Sequence, residues 1–321
     1  MVAVNAAAVS TYELIVIDDG STDNTVAVIR DYAIKHAQKI NIVSQDNAGR
    51  FVARMRGAEE AKFDLLLYVD TRVFIGKSSL RYVLQAMKKE PSRKVWCSHV
   101  RVDTKGNIYA RFWEAIAFAA WRKYFRNPRD ISYGIDAFDD YPKGTTCFLT
   151  DRNLFIEANK WFVKNTMDLQ KSNDDTLLLR HIAQKNSINI SPKFWCLYHA
   201  RTSLRQYVKH VHHRGMVFVD GFLRNDGNRF FVPLILFLVV SALLPLLLFV
   251  AVIAEPILIA YGLLAGVLLW LLELLALLAI RVPWKDAASL FMLSPIFAVF
   301  YGAGIWQAFI RTRTISKHKR N

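Results

Sequence analysis

The stretch Glu13-Leu-Ile-Val-Ile-Asp18-Asp19-Gly20-Ser21-Thr22-Asp23-Asn24-Thr25 decides how the chain is read. Leu14 to Ile17 is a short, β-branched apolar run, the pattern of a buried parallel strand, and Asp18-Asp19-Gly20 stops it in a loop. Ser21 to Asn24 then supply helix-capping oxygens ahead of Thr25 to Ala37, where Val26, Ile29, Tyr32 and Ala33 recur at helical spacing. The predicted unit is strand, loop, helix.

Outward from this unit the pattern repeats. Ile40 to Val43 carries a second strand signal, Ala48 to Ala61 reads as a helix, and Asp64 to Val69 is another buried strand, ending at Asp70. Strands alternating with helices predict an α/β fold, a mostly parallel sheet with helices on both faces. Ligands of such sheets bind beyond the carboxyl ends of the strands, where Asp18, Asp19 and Asp70 fall. Further on come a helix over Leu80 to Lys89, a strand over Val95 to Val102, an aromatic-rich helical stretch from Phe112 to Phe125, and a loop from Asn127 to Gly144.

Composition changes near Phe230. Residues 231–254 and 256–280 hold one acid, Glu273, and no base, and each is long enough to span a bilayer. Glu255-Pro256 leaves almost no loop between them, which predicts a tight helical hairpin. A third apolar stretch, 287–310, is broken by Ser294-Pro295, Gly302 and Gly304, so spanning, kinking and re-entry all stay open. The expected organisation is an α/β domain over 1–200, a basic interfacial segment over 201–229, and a membrane domain over 230–321 with a basic tail.

The formal charge of +15 on 321 residues raises nucleic acid, anionic lipid and anionic substrate as partners. Apolar spans argue against nucleic acid. The bases cluster at the membrane boundary, in Arg201 to Arg229 and Arg311 to Arg320, where acidic headgroups attract them. Met1 to Ser10 lacks a basic n-region, so the α/β domain is expected on the cytoplasmic face of a multi-pass protein of the cell membrane. If all three segments cross, however, the basic tail ends outside, against the positive-inside tendency. Cys97, Cys147 and Cys196 are too scattered for a disulfide framework or a zinc site.

Several motifs then follow one another in order. They are Val16 to Thr25, Asn47-Ala48-Gly49 with Ala53-Arg54 and Gly57, the strand ending at Asp70, Gly144 to Leu149 with Arg152, and Asn173-Asp174-Asp175-Thr176 before Leu177 to Arg180. Together, over residues 12–222, the chain resembles the family 2 glycosyltransferases. That resemblance implies the GT-A fold, Rossmann-like, and transfer of a sugar from a nucleotide-sugar donor.

It also implies roles for particular residues. Asp19 would contact the nucleotide, with Asp18 beside it as a structural carboxylate; a turn-capping carboxylate is the plainer alternative for Asp19. Asn47 and Gly49 shape the donor loop. Arg54 is a phosphate or base contact, or else a solvated helix position. Asp70 stands where the family's Asp-X-Asp holds Mg2+ or Mn2+ on the diphosphate, but here the motif reads Asp70-Thr71-Arg72. Either Asp70 holds the metal with waters and phosphate oxygens, or Arg72 stabilises phosphate charge directly. His199 falls where some members place a late metal-binding histidine, and an ordinary boundary histidine is the alternative. Asp175, with Asp174 before it, would be the base that removes the acceptor proton in an inverting transfer; capping the following helix is the other reading. Arg205 to Gly215 resembles a degenerate form of the element that closes over the diphosphate in membrane-bound relatives, with His213 and Arg214 nearest the site, or a basic interfacial helix on anionic lipid. The Gln-X-X-Arg-Trp of cellulose and hyaluronan synthases is absent.

The function expected is a membrane-anchored inverting glycosyltransferase. It would use a nucleotide sugar, a UDP-sugar first, and act on a lipid-linked or envelope polysaccharide acceptor. The alternative is a non-catalytic sugar-nucleotide-binding subunit, suggested by Asp-Thr-Arg and by a start later than the family's usual first strand and helix. A transporter is a third class, with only Glu273 as an intramembrane acid.

Overall fold

The computed structural model describes all residues except 1, 10, 167, 168, 170–173, 224–227, 256 and 319–321. Asn173 of the last motif therefore lies outside the described residues. The chain divides into two compact units: residues 1–101 with 127–198, and residues 102–126 with 199–321.

The first unit holds α1 (Val2–Ala6), β1 (Leu14–Asp19), α2 (Thr25–Lys35), β2 (Ile40–Gln45), α3 (Arg50–Glu60), β3 (Leu65–Val69), β4 (Val73–Ile75), α4 (Ser79–Lys89) and β5 (Val95–Val102). The second unit interrupts it with α5 (Ile108–Ala120) and α6 (Arg122–Phe125). The first unit then resumes with β6 (Ile131–Tyr133), a 3-10 turn (Ile135–Asp140), β7 (Cys147–Asp151), α7 (Arg152–Asn165), α8 (Asp174–Ala183) and β8 (Ile188–Tyr198).

The strand, loop and helix order is as expected, but strand direction is not. β1 and β2 pair parallel, in a sheet of their own. The larger sheet runs β3-β7-β5-β8-β4 with β6 on β8, and its pairings β3–β7, β5–β7, β4–β8 and β6–β8 are antiparallel. The expected mostly parallel sheet is thus corrected to a mixed one. Alternation of strands with helices holds only as far as β3. After it, the chain inserts β7 between β3 and β5, an order that local periodicity does not encode.

Packing follows the apolar pattern. Val83, Trp96, Leu149, Phe194 and Cys196 form one core between α4 and the larger sheet. α3 lies on β1, with Gly57 so close to Ile17 that a methyl there would touch it at 3.5 Å. Phe51 of α3 meets Phe162 of α7 at a ring distance of 4.6 Å, and Tyr68 of β3 meets Phe155 at 4.7 Å. These contacts fix α3 and α7 relative to the end of β3. The three cysteines are buried free thiols.

The second unit continues with α9 (Leu204–Phe222), α10 (Phe231–Ala254), α11 (Ile257–Ala279) and α12 (Trp284–His318). Asn107 caps α5, its side-chain oxygen accepting from the backbone N–H of Tyr109 and Ala110. Phe112, Tyr207, Val211 and Leu293 join α5, α9 and α12 in one core. Among the described residues three stretches, Phe231–Ile253, Ile257–Ala279 and Trp284–Thr312, are long and apolar enough to cross a membrane.

Candidate active site

The loop after β2 is built around one carboxylate at the end of β1. Asp19 Oδ1 accepts from Gln45 Nε2 at 2.7 Å and from the Ala48 N–H at 2.9 Å, and Oδ2 accepts from the Gly49 N–H at 2.9 Å. Partial burial opposes its ionisation, but the donors on Ala48, Gln45 and Gly49 prevail and hold the carboxyl below its ordinary value. Glycine is required twice here. Gly20 has φ +74°, and a Cβ on it would lie 2.8 Å from the Asn47 nitrogen. Gly49 has φ +92° and opens α3. Asp18 is buried and accepts from the Ser21 N–H at 3.2 Å.

One turn into α3, Arg54 reaches three carboxylates. Its Nη2 donates to Asp70 Oδ1 at 3.1 Å, and its Nη1 to Asp174 Oδ2 at 2.8 Å and Asp175 Oδ1 at 3.2 Å. The guanidinium side chain is only 11 % exposed, so it is not a solvated helix position. Arg50, four residues earlier on the same face, pairs with Asp174 Oδ1 at 3.4 Å. Thr145 Oγ1 donates to Asp175 Oδ1 in a short contact, and the Tyr68 hydroxyl donates to the Arg54 carbonyl at 3.2 Å. Arg152 holds the far end of α3, its Nε donating to the Ala58 carbonyl at 2.8 Å.

The carboxylates differ in environment. Asp174 has a side chain 7 % exposed, and burial together with neighbouring Asp175 pushes its carboxyl up to about 6, against the pull of Arg54 and Arg50. Burial also raises Asp70, although Arg54 opposes it. Asp175 is more open, its side chain 34 % exposed, at the first turn of α8 where the helix N-terminus favours a carboxylate. The chemistry available is an exposed carboxylate beside a buried, partly protonatable one, both held by a fixed cation.

Among the described residues no group of three His, Cys, Asp or Glu side chains is arranged to hold a metal ion. The donor set fits a divalent cation only through Asp70, whose side chain is 40 % exposed at the end of β3. Such a cation would take its remaining oxygens from phosphate and water, as magnesium commonly does.

The sequence-predicted residues therefore separate. Asp19, at the end of β1, accepts from the β2–α3 loop that carries Asn47 and Gly49, while Arg54, Asp70, Asp174 and Asp175 converge on one point. Arg72 is exposed two residues after Asp70. His199, His213 and Arg214 belong to the second unit: His199 Nδ1 lies 3.2 Å from Asp103, Arg214 stacks over Trp113 at 5.0 Å, and His213 is on α9. Sequence reasoning missed Arg50, Gln45 and Thr145. The four-residue step from Arg50 to Arg54 was the available signal for the first; Thr145 stood inside a quoted motif.

Residues 3–157 match the family description "Glycosyl transferase family 2". The poly-beta-1,6-N-acetyl-D-glucosamine synthase of Staphylococcus aureus is 28% identical over 109 residues, covering 34% of this chain and 26% of the relative. The enzyme of the same name from Staphylococcus epidermidis is 27% identical over 108 residues, with the same coverage. The match thus spans about a quarter of the length of these curated relatives. Among solved structures, the mannosyltransferase PcManGT from Pyrobaculum calidifontis, in complex with GDP-Man and Mn2+, superposes with a TM-score of 0.54. It is 16% identical, over 89% of this chain and 76% of that one, and the likeness is one of fold, the GT-A type.

Proposed function

Because residues 3–157 carry a glycosyl transferase family 2 domain, we propose that the chain is a membrane-anchored inverting glycosyltransferase. It moves a sugar from a nucleotide-sugar donor to a lipid-linked or envelope polysaccharide acceptor. The observation that carries this reading is the convergence of Asp70, Asp174 and Asp175 on Arg54.

In this reading Asp175 is the general base. Its carboxylate takes the acceptor hydroxyl proton as that oxygen bonds to the anomeric carbon, while the bond from that carbon to the diphosphate breaks on the opposite side. Asp175 is the more exposed of the adjacent pair, and Thr145 with Arg54 fixes its orientation. Asp174 stays buried as the partner of Arg54 and Arg50. Asp70 would hold a divalent cation, which supplies charge neutralisation to the leaving diphosphate; Arg72, exposed beside it, adds positive charge. The Asp19-pinned loop receives the nucleotide through the backbone it shapes.

The test is turnover in membranes containing the full chain, with UDP-, GDP- and dTDP-sugars, with and without Mg2+ or Mn2+. Loss of turnover in both Asp175→Asn and Asp70→Ala supports the reading. Nucleotide binding without turnover under every condition would instead favour a non-catalytic subunit.

A further inference from the structure

The end of α11 marks where the chain leaves the hydrocarbon. α11 has 23 residues, about 35 Å at 1.5 Å per residue, so a hydrocarbon core of ~30 Å is used up by Ala279. Ile280 follows, then Arg281-Val282-Pro283-Trp284-Lys285, the turn that opens α12. This turn therefore lies at the depth of the lipid headgroups.

The turn has a defined geometry. The Arg281 N–H donates to the Leu278 carbonyl at 2.9 Å and the Val282 N–H to the Leu277 carbonyl at 3.0 Å, while the Val282 and Leu277 side chains are buried in one core. Two such bonds close a helix C-terminus around a residue in the left-handed conformation, a position that glycine commonly takes. Here the residue is Arg281, with φ +63°. That conformation is disfavoured for a long side chain, and this side chain is exposed to the surroundings instead of packed.

α5 and α6 bring further bases to the same place. Ala115 of α5 is buried with Leu277, Val282 and Ala287, and Ile280 packs against that core. At the end of α6, Arg126 Nη2 donates to the Ile280 carbonyl at 2.8 Å, next to Arg281. Arg122 lies one turn earlier, its carbonyl accepting from the Arg126 N–H at 3.0 Å, with Lys123 beside it. Arg122, Lys123, Arg126, Arg281 and Lys285 are all exposed, and among the described residues none of them makes an ion pair. The acids of residues 107–126 and 278–288 are Glu114, which is half-buried, and Asp286, which is buried and paired with Arg111 at 2.8 Å. Trp284 is 68 % exposed, and Lys285 Nζ lies 5.6 Å from its ring centre. A merely solvated face would carry both signs of charge; this one carries bases and an indole.

We propose that this junction is a binding site for anionic phospholipid. Arg281 and Lys285, with Arg122 and Lys123, donate to the phosphate oxygens of headgroups. Arg126 ties α6 to the turn, so that bases from both segments meet the same headgroup layer. The partner is a phospholipid of net negative headgroup and not free phosphate, because the exposed indole of Trp284 suits the boundary between headgroup and acyl chain. The site is separate from the basic stretches 201–229 and 311–320: Arg281 and Lys285 stand in a short turn between apolar helices, and α6 reaches them only through the fold.

The inference rests on the membrane anchoring of the proposed function, and two readouts separate them. The full chain is purified in mild detergent and titrated with phosphatidylglycerol or phosphatidylcholine, and the lipid it retains is counted by native mass spectrometry. Phosphatidylglycerol should be retained in preference. Arg281→Gly combined with Lys285→Gln should weaken that retention about 25-fold, roughly fivefold per base, and leave phosphatidylcholine unchanged. Because glycine suits the φ of Arg281, Arg281→Gly alone should keep or raise the melting temperature while phosphatidylglycerol retention falls, a split that a purely structural role would not produce. Equal retention of phosphatidylglycerol by the parent and the double variant overturns the site. So does its loss only in Arg205→Gln with Lys209→Gln, which would move lipid binding to α9. Displacement of phosphatidylglycerol by millimolar inorganic phosphate overturns the choice of lipid as partner. Release of the parent chain from membranes by alkaline carbonate overturns the anchoring and the inference with it, whereas a chain that stays in the membrane without preferring phosphatidylglycerol overturns the inference alone.

Discussion

Asp19 and the Asp70–Asp174–Asp175 group are satisfied by opposite means. Asp19 is surrounded by neutral donors, two of them backbone N–H groups, and stays ionised below the ordinary carboxylate range. The other three carboxylates share Arg54, helped by Arg50, so anions outnumber cations and burial raises Asp174 to about 6. A carboxylate held by the backbone shapes a loop. A cluster short of positive charge keeps a place for a proton or a cation.

The comparison breaks most visibly at Asp175. Asp175→Asn keeps size but removes the base, and turnover in membranes should fall by about 10²- to 10⁴-fold with little change in melting temperature. A loss under threefold would remove Asp175 from the chemistry and leave it a helix-capping residue.

Arg54 is next. Arg54→Ala leaves the buried Asp174 without its nearest counter-charge, and breaking such a pair costs roughly 3–5 kcal/mol. A melting temperature well below that of the parent chain is expected in detergent, with Arg54→Lys in between because an ammonium cannot reproduce the fork. Unchanged melting for Arg54→Ala would mean the cluster relaxes without it.

Acidity sharpens the contrast further. Asp174, raised by burial, gains its proton as pH falls through about 6, whereas Asp19, lowered, remains charged there. Below that pH the neutral Asp174 no longer balances Arg54, and turnover should decline with an inflection near it. Asp174→Asn should lower activity at pH 7.5 and abolish that inflection; an unchanged profile would assign the acid limb to another group.

Much of this was legible in the sequence. Leu14–Asp19 and Val95–Val102 are strands where the β-branched runs stood, and α10 and α11 fall within two residues of their apolar boundaries. Asp70, Asp174 and Asp175 were singled out by the family resemblance, but their meeting on Arg54 was not. What could not be read was whatever depends on long-range pairing: the antiparallel insertion of β7 beside β3, and the grouping of α5 with α9 and α12, whose contacts come from residues nearly two hundred positions apart. For Arg54 the sequence left donor contact and solvated surface open, since helical spacing cannot show that three acids from two later segments close over it.

The smallest expected effect returns to Asp19. In Asp19→Asn the side chain keeps a single acceptor oxygen, and its new amide is a donor facing donors. At least one of the Ala48 and Gly49 N–H groups then loses its partner, a defect worth about 1–3 kcal/mol if no water replaces it. The loop, not the Arg54 cluster, should feel this. Hydrogen exchange in a peptide covering residues 45–50 should quicken, while one covering 174–183 should keep the parent rate. The parent loop should show the same loosening only well below the ordinary carboxylate value of 3.8, because a lowered carboxyl contributes its stability above that value and loses it as pH falls through its own. If both peptides loosen together in the variant, the two carboxylate sites form one cooperative unit, and the division drawn between a loop-shaping acid and a reactive cluster fails.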